Sequence, residues 1–307
     1  MAAPFALAQK GPRRVGLVPA GPLPPRKHQW DAFVDEMRKL GWRDGQNVAY
    51  AWSVPQREGE PFQAYVEQAL RGGVEVLVVS TTAQMLAAKA VTTSVPVVGV
   101  SMTDPIGSGL AKTLAQPGGN VTGVSLRTVD LSGKRVETLR EAFPRLQRLA
   151  HISPQGTEAQ FEQSQAALKP AGIAALHYRV SSVDDIYRAV EQAAKERAQA
   201  AIISGHPFSY GLRREIAEVA LRARLPLMGT FSVQAKDGFL LTYGTDDTEN
   251  YRRAATHAHR ILNGAKPGDL PIEQIDRVTL CVNLRTAKAL GVELPQSLMV
   301  RADEVFQ

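Results

Sequence analysis

Few groups in this 307-residue chain can do chemistry, and their spacing decides what kind. Ser80-Thr81-Thr82 stands between an apolar run, Val74 to Val79, and a helical stretch over Ala83 to Val91. Three hydroxyls beside the unbonded N–H groups of a helix start make an anion site. Such a terminus is worth about 0.3–1 kcal/mol to a carboxylate, and up to ~2 kcal/mol when partly buried. The same hydroxyls can serve as helix caps with no ligand at all. Asp104 follows the apolar run Pro96 to Val100 and precedes Pro105, which favours an extended backbone before it. Its carboxylate can accept an ammonium at about 1.5–3 kcal/mol or cap a helix beginning near Ile106, and the two roles compete for the same oxygens. In the second half, loops after apolar runs carry Gln155, His206, Phe208 and Phe231, with Asp246 in the segment Gly244 to Asp246. Phe208 and Phe231 suit the apolar wall of a ligand site, or simple packing beneath their loops. His206 stands where α/β sheets meet ligands, or faces solvent.

No reaction centre assembles from these residues. There is no GxxxxGK[ST], no GxGxxG opening the first helix and no GxSxG; Gly205-His206-Pro207-Phe208-Ser209 is not a nucleophile elbow. Six histidines include no HExxH, and His257 and His259 are two apart on a helix, so they face different ways. No metal and no cofactor is expected.

The elements that must position these groups read clearly. Trp30, Phe33, Val34, Met37 and Leu40 recur at helical spacing up to Gly41. Strands are expected over Arg13 to Pro19, Val48 to Ser53, Val74 to Val79, Pro96 to Val100 and Val121 to Ser125, alternating with helices. The pattern restarts with strands over Leu146 to Ile152, Ile173 to Val180, Ala200 to Ile203, Leu225 to Gly229 and Phe239 to Tyr243. Strand–helix alternation means βαβ units and a parallel sheet, and right-handed crossovers place helices on both faces. The fold class is therefore α/β: two doubly wound parallel-sheet lobes joined by multiple hinge crossings. A helix over Asn250 to Leu262, a strand over Val278 to Val282, a helix over Leu284 to Leu290 and an extended piece over Leu298 to Val300 return to pack on the lobes. The expected first lobe is 12–124 plus about 246–268, and the second is 125–245 plus about 269–307.

Hydrophobic content of 44% with 21% charged residues fits a globular chain with material for two cores. The formal charge of +6 is scattered rather than massed, which points to a solvated surface and no nucleic-acid partner. No run approaches the roughly eighteen apolar residues of a membrane span. The single cysteine, Cys281, lies in an apolar stretch and reads as packed core. Residues 1–8 end in Ala6-x-Ala8 and look like the remnant of a signal-peptide cleavage region.

Longer motifs carry a resemblance. TDPIGSGLAKTLAQPGGNVTGVS (Thr103 to Ser125), LSGKRVETLREAFP (Leu131 to Pro144), RRAATHAHRILNGAKPGDLPIEQ (Arg252 to Gln274) and VNLRTAKALGVELPQSLMVRADEV (Val282 to Val305) occur in this order, with GQNV at Gly45 to Val48. Together they make the chain similar to the periplasmic substrate-binding proteins of ABC importers, whose type I bilobal fold holds a small molecule between lobes. The resemblance implies a non-catalytic, monomeric carrier of a small polar or zwitterionic solute, such as an amino acid, delivered to an inner-membrane permease. It implies ammonium binding by Asp104 and carboxylate binding by Ser80, Thr81 and Thr82. Three segments depart from the relatives: AYAWSVPQREGEPF after GQNV; the proline-heavy loop Ala20 to Arg26, which brings Ala20 and Gly21 to the cleft mouth; and Ser153-Pro154-Gln155, in place of a more usual Asn-containing turn. Rival readings are a ligand-sensing module for a signalling partner and a cleft enzyme such as a racemase.

Overall fold

The computed structural model describes residues 11–126 and 128–307. The signal remnant expected over 1–8 lies outside the described residues. Among the described residues, thirteen strands form two sheets. The first holds β1 (Arg13–Val18), β2 (Val48–Trp52), β3 (Val76–Thr81), β4 (Val97–Met102), β5 (Val121–Ser125) and β11 (Glu273–Gln274). The second holds β6 (Arg148–Pro154), β7 (Ala174–Val180), β8 (Ala200–Ile203), β9 (Leu227–Gly229), β10 (Leu241–Thr245), β12 (Val278–Asn283) and β13 (Glu304–Phe306).

The spatial orders are β11-β5-β4-β3-β1-β2 and β13-β12-β10-β9-β8-β6-β7. Within each lobe the first five strands thus run 2-1-3-4-5. That order reverses direction between the first and third strands, and open α/β sheets bind ligands in the crevice at such a reversal. Among the described residues, only the β10–β12 pairing is antiparallel. Burial explains the near-continuous apolar strands. In β3, Val76 and Val78 pack with Trp30, Phe33, Tyr251 and Ala254 on one face, while Leu77 and Val79 pack with Val66, Met85 and Ala88 on the other. Both faces of the sheet are covered, as parallel sheets require.

Three expectations are corrected. The helix expected near Ile106 does not form; residues 105–109 make successive turns, with Gly109 at φ 73°. Pro105, Gly107 and Gly109 are poor helix formers, and Leu110 and Ala111 both donate to the Pro105 carbonyl instead. Leu298 to Val300 is helical, inside Gln296–Arg301, and the closing strand is Glu304–Phe306. The tail also leaves the first lobe later than residue 268: Glu273–Gln274 still pairs with β5, so the third crossing falls between Gln274 and Val278. A two-residue strand offers no periodicity to read.

The crossings are tied together by Arg135. Its side chain is buried, donating from Nε to the Tyr243 carbonyl at 2.9 Å and from Nη1 to the Thr128 carbonyl at 2.9 Å. One guanidinium therefore links the first crossing to the strand that leads into the second. Burial lowers its pKa to about 10, leaving it charged at neutral pH.

Candidate functional site

The carboxyl ends of the two sheets face each other across a cavity of about 700 Å³. From the first lobe, Ala20 after β1, Ser80 to Ala83 at the end of β3 and the start of the next helix, and Ser101, Thr103 and Asp104 at the end of β4 border it. From the second come Gln155 to Thr157 after β6, Gly205 to Phe208 after β8 and Phe231 after β9. Asp247, Asn250 and Tyr251, from the first turns of helix Asp247–Leu262, form part of the floor.

Of the hydroxyl trio, Thr81 is the cap of helix Thr82–Val91, accepting from the Gln84 N–H at 3.3 Å. Thr82 is spent on the neighbouring loop: its Oγ1 accepts from the Thr103 N–H at 2.8 Å and donates to the Thr103 carbonyl at 3.1 Å. Ser80 is buried, 3.4 Å from the Tyr251 hydroxyl. The hydroxyls thus build the helix start, and the first-turn N–H groups of Thr82 and Ala83 lack intrahelical partners by geometry.

Gln84 holds this corner and went unnoticed in the sequence. Fully buried, it accepts the Ser80 and Thr81 N–H groups at 2.9 and 3.1 Å and donates to the Val18 and Pro19 carbonyls at 3.2 and 2.8 Å. Gln234 repeats the acceptor half of this arrangement in the second lobe, taking the Thr230 and Phe231 N–H groups at 2.8 and 2.9 Å, while its Nε2 is buried without a partner. The matching spacing of Ser80-Thr81-Thr82-Ala83-Gln84 and Thr230-Phe231-Ser232-Val233-Gln234 is a local repeat between lobes, and it was the available signal.

Asp104 borders the cavity but is exposed, at φ 43°, with Oδ1 accepting from the Gly107 N–H at 2.8 Å. Asp246 does not border it. Its carboxylate caps helix Asp247–Leu262, accepting from the Thr248 N–H and hydroxyl, both at 2.8 Å. Because an N-cap side chain turns back onto its own helix, the next residue, Asp247, is the one that borders the cavity. Gly21 also misses the cavity and instead backs a buried ion pair between Arg26 and Glu58.

His206 caps helix Pro207–Gly211, with Nδ1 accepting from the Phe208 N–H at 3.2 Å. The neutral ring therefore carries its proton on Nε2. Burial, with the nearby Arg26 charge, pushes its pKa down to about 4. Phe231 meets Tyr210 edge to face at 5.4 Å. Phe208 reaches across to the other lobe, where a Cβ on Gly59 would stand 2.9 Å from its ring.

Several direct bonds join the lobes at this mouth. Arg26 pairs with Glu58 at 2.6 and 2.8 Å and donates to the Pro207 carbonyl at 2.9 Å. Arg213 donates to the Pro25 carbonyl at 3.1 Å. Tyr210 donates to Asp247, which also receives His28 at 3.1 Å and Gln29 at 3.2 Å. Burial and the Asp247 charge hold the Tyr210 phenol far above its ordinary pKa, so it is a donor at every physiological pH. None of Arg26, Glu58, Tyr210 or Asp247 was singled out in the sequence, because each acts only through a partner remote along the chain.

Cys281 is buried with its thiol pushed up to about 11, an inert core residue. Among the described residues, no group of three His, Cys, Asp or Glu side chains could hold a metal ion. Among the same residues, no helix is long and apolar enough to cross a membrane.

Comparisons with known proteins agree with this architecture. The chain is 22% identical over 268 residues to a tyrosine-binding protein of Clostridioides difficile, covering 85% of this chain and 76% of that one. Its fold matches an ABC domain from Streptococcus pneumonia in complex with L-Trp, with TM-score 0.88 and 21% identity over 96% of this chain and all of the other. It matches a ligand-free, open substrate binding protein from Clostridium difficile with TM-score 0.68 and 20% identity, over 96% of this chain and 99% of the other. The family model for ABC transporter substrate binding proteins matches residues 23–306, and the chain belongs to that family.

Proposed function

We propose that this protein captures a small zwitterionic solute, an amino acid with a bulky apolar side chain, and hands it unchanged to the permease of an ABC importer. The observation that carries this reading is the composition of the interlobe cavity. A helix start with free N–H groups borders it on one side, buried carboxylate and amide groups on its floor, and Phe62, Phe208, Phe231 and Tyr210 around the rest. Charge-reading groups fix the two ends of an amino acid, and aromatic walls supply apolar contact for its side chain. The relatives' tyrosine and L-Trp support the same class. The direct bonds between lobes at the mouth fit a hinge closure around the solute, on the extracytoplasmic side of the membrane where importers collect their cargo.

Calorimetric titration of purified protein against the twenty amino acids is the test. Binding in the micromolar range, about −8 kcal/mol, is expected for at least one aromatic member. Absence of heat across the whole panel would refute the reading.

A further inference from the structure

We infer that the solute's ammonium is received by Asp247 and Asn250, not by Asp104, and that Tyr210 makes this contact part of lobe closure. The inference rests on the amino-acid reading above and names the residues that select for the amine.

Three observations lead to it. Asp247 and Asn250 are three apart on helix Asp247–Leu262, so they share one face, and both border the cavity. They are buried, at 3% and 1% exposure. Asp247 is bonded by a phenol, an imidazole and a carboxamide, and no lysine or arginine among the described residues is bonded to it. Asn250 donates to the Ser101 hydroxyl at 3.3 Å, yet its Oδ1 is buried without a hydrogen-bond partner. A buried acceptor left unpaired is costly, and a carboxylate one helical turn away supplies negative charge. A group with several N–H donors and a positive charge would satisfy both together. An ammonium is that group.

Asp104 fits the role poorly. It is exposed, where an ion pair is weak, and its Oδ1 already accepts from the Gly107 amide. The carboxylate end of the solute is then left to the start of helix Thr82–Val91, whose residues border the same cavity. Tyr210 lies on the second lobe and donates to Asp247 on the first. The oxygen that would meet the ammonium therefore belongs to the same carboxylate that bonds the lobes together. An amine arriving at Asp247 fixes that carboxylate in place for Tyr210, and closure becomes responsive to the solute's charge.

The test uses the full chain with L-tryptophan and L-tyrosine, their amine-free analogues indolepropionate and hydroxyphenylpropionate, and calorimetry as the readout. Wild type is expected to bind the amino acids about 100-fold or more tightly than the amine-free analogues, as sites built around a hydrogen-bonding group do. Asp247→Asn and Asn250→Leu should remove most of that preference, lowering affinity for the amino acids at least about tenfold more than for the amine-free analogues. Tyr210→Phe should reduce compaction by L-tryptophan in small-angle scattering. Should Asp104→Asn erase the preference instead, or Asp247→Asn lose both ligand types equally, the assignment is overturned. If the Asp247 variant does not fold, Asn250→Leu and the wild-type preference still decide: wild type binding both ligand types equally refutes the inference but leaves the proposed function standing. Wild type binding none of the four probes, nor any amino acid, removes both.

Discussion

Gly211→Ala offers the sharpest test of closure. Gly211 ends helix Pro207–Gly211 in the second lobe, and a Cβ placed on it would stand 2.1 Å from Glu58 Oε1 and 2.8 Å from Arg26 Nη2, both in the first lobe. Ordinary contact begins near 3.4 Å, so something must give by at least 1.3 Å (3.4 − 2.1). Glu58 cannot easily retreat. Both of its oxygens are held by the buried Arg26, at 2.6 and 2.8 Å. The lobes must then part. Opening by 1.3 Å would stretch the Arg26–Pro207 bond from 2.9 Å to about 4.2 Å, beyond hydrogen-bond range. Losing one charge-assisted bond costs about 1.5–3 kcal/mol, which is roughly 10- to 150-fold in solute affinity. The backbone itself has no objection, since Gly211 is not among the positive-φ residues. Alanine near a helix end should even raise the melting temperature slightly, because glycine costs about 0.5–1 kcal/mol in a helix. The assay pairs calorimetric affinity, using an amino acid that titrates against wild type, with thermal melting of the unliganded protein. Weaker binding with an unchanged or higher melting temperature is the expected pair. Wild-type affinity in the variant would refute the argument that the lobes meet at this glycine when the solute is bound.

Other consequences follow from the packing. Burial holds His151 down at about 3 and His206 at about 4, against about 6.5 in the unfolded chain. The unfolded state therefore binds more protons below pH 6.5, so this stability is complete above that value and is lost as pH falls toward 4 and then 3. At pH 5 each histidine should cost about 2 kcal/mol relative to pH 8; a urea midpoint that does not move between the two would contradict it. Gly123→Ala should destabilise by more than about 3 kcal/mol, because its φ is 136° and a Cβ would meet the Gly99 carbonyl oxygen at 2.0 Å inside the first sheet. Denaturation that leaves Gly123→Ala within 1 kcal/mol of wild type, roughly the ordinary cost of a substitution, would refute that reading. Gln84→Leu removes a carboxamide that satisfies two amides and two carbonyls. It should cost about 3 kcal/mol or more and weaken solute binding as well, seen as a lower melting temperature together with a higher Kd.

Much of the architecture was legible. The βα alternation with its restart after Ser125 implied two lobes, and β1 through β10 lie where apolar runs placed them, within a few residues. The helix expected after Pro105 failed because a motif rich in glycine and proline can be read as either a helix start or a chain of turns. The short strand Glu273–Gln274 left no pattern at all. Loops at the sheet ends are where the sequence directs a search for cavity-bordering residues, since position after a strand is a local property. Asp246 and Gly21 were misplaced there because orientation within a loop is not.

Sequence by itself determined the elements, the number of lobes and the edge of each sheet where a cavity would open, because hydrophobic period and turn chemistry act over a few residues. Only the tertiary structure decided which carboxylate faces inward, how Arg26, Glu58, Tyr210 and Asp247 meet across the cleft, and which glycines let the lobes touch. The physical reason is range. A cap or an apolar stripe is written in neighbouring residues, whereas Arg26 meets Pro207 181 positions along the chain, and such a contact exists only once both sheets have folded and closed on each other.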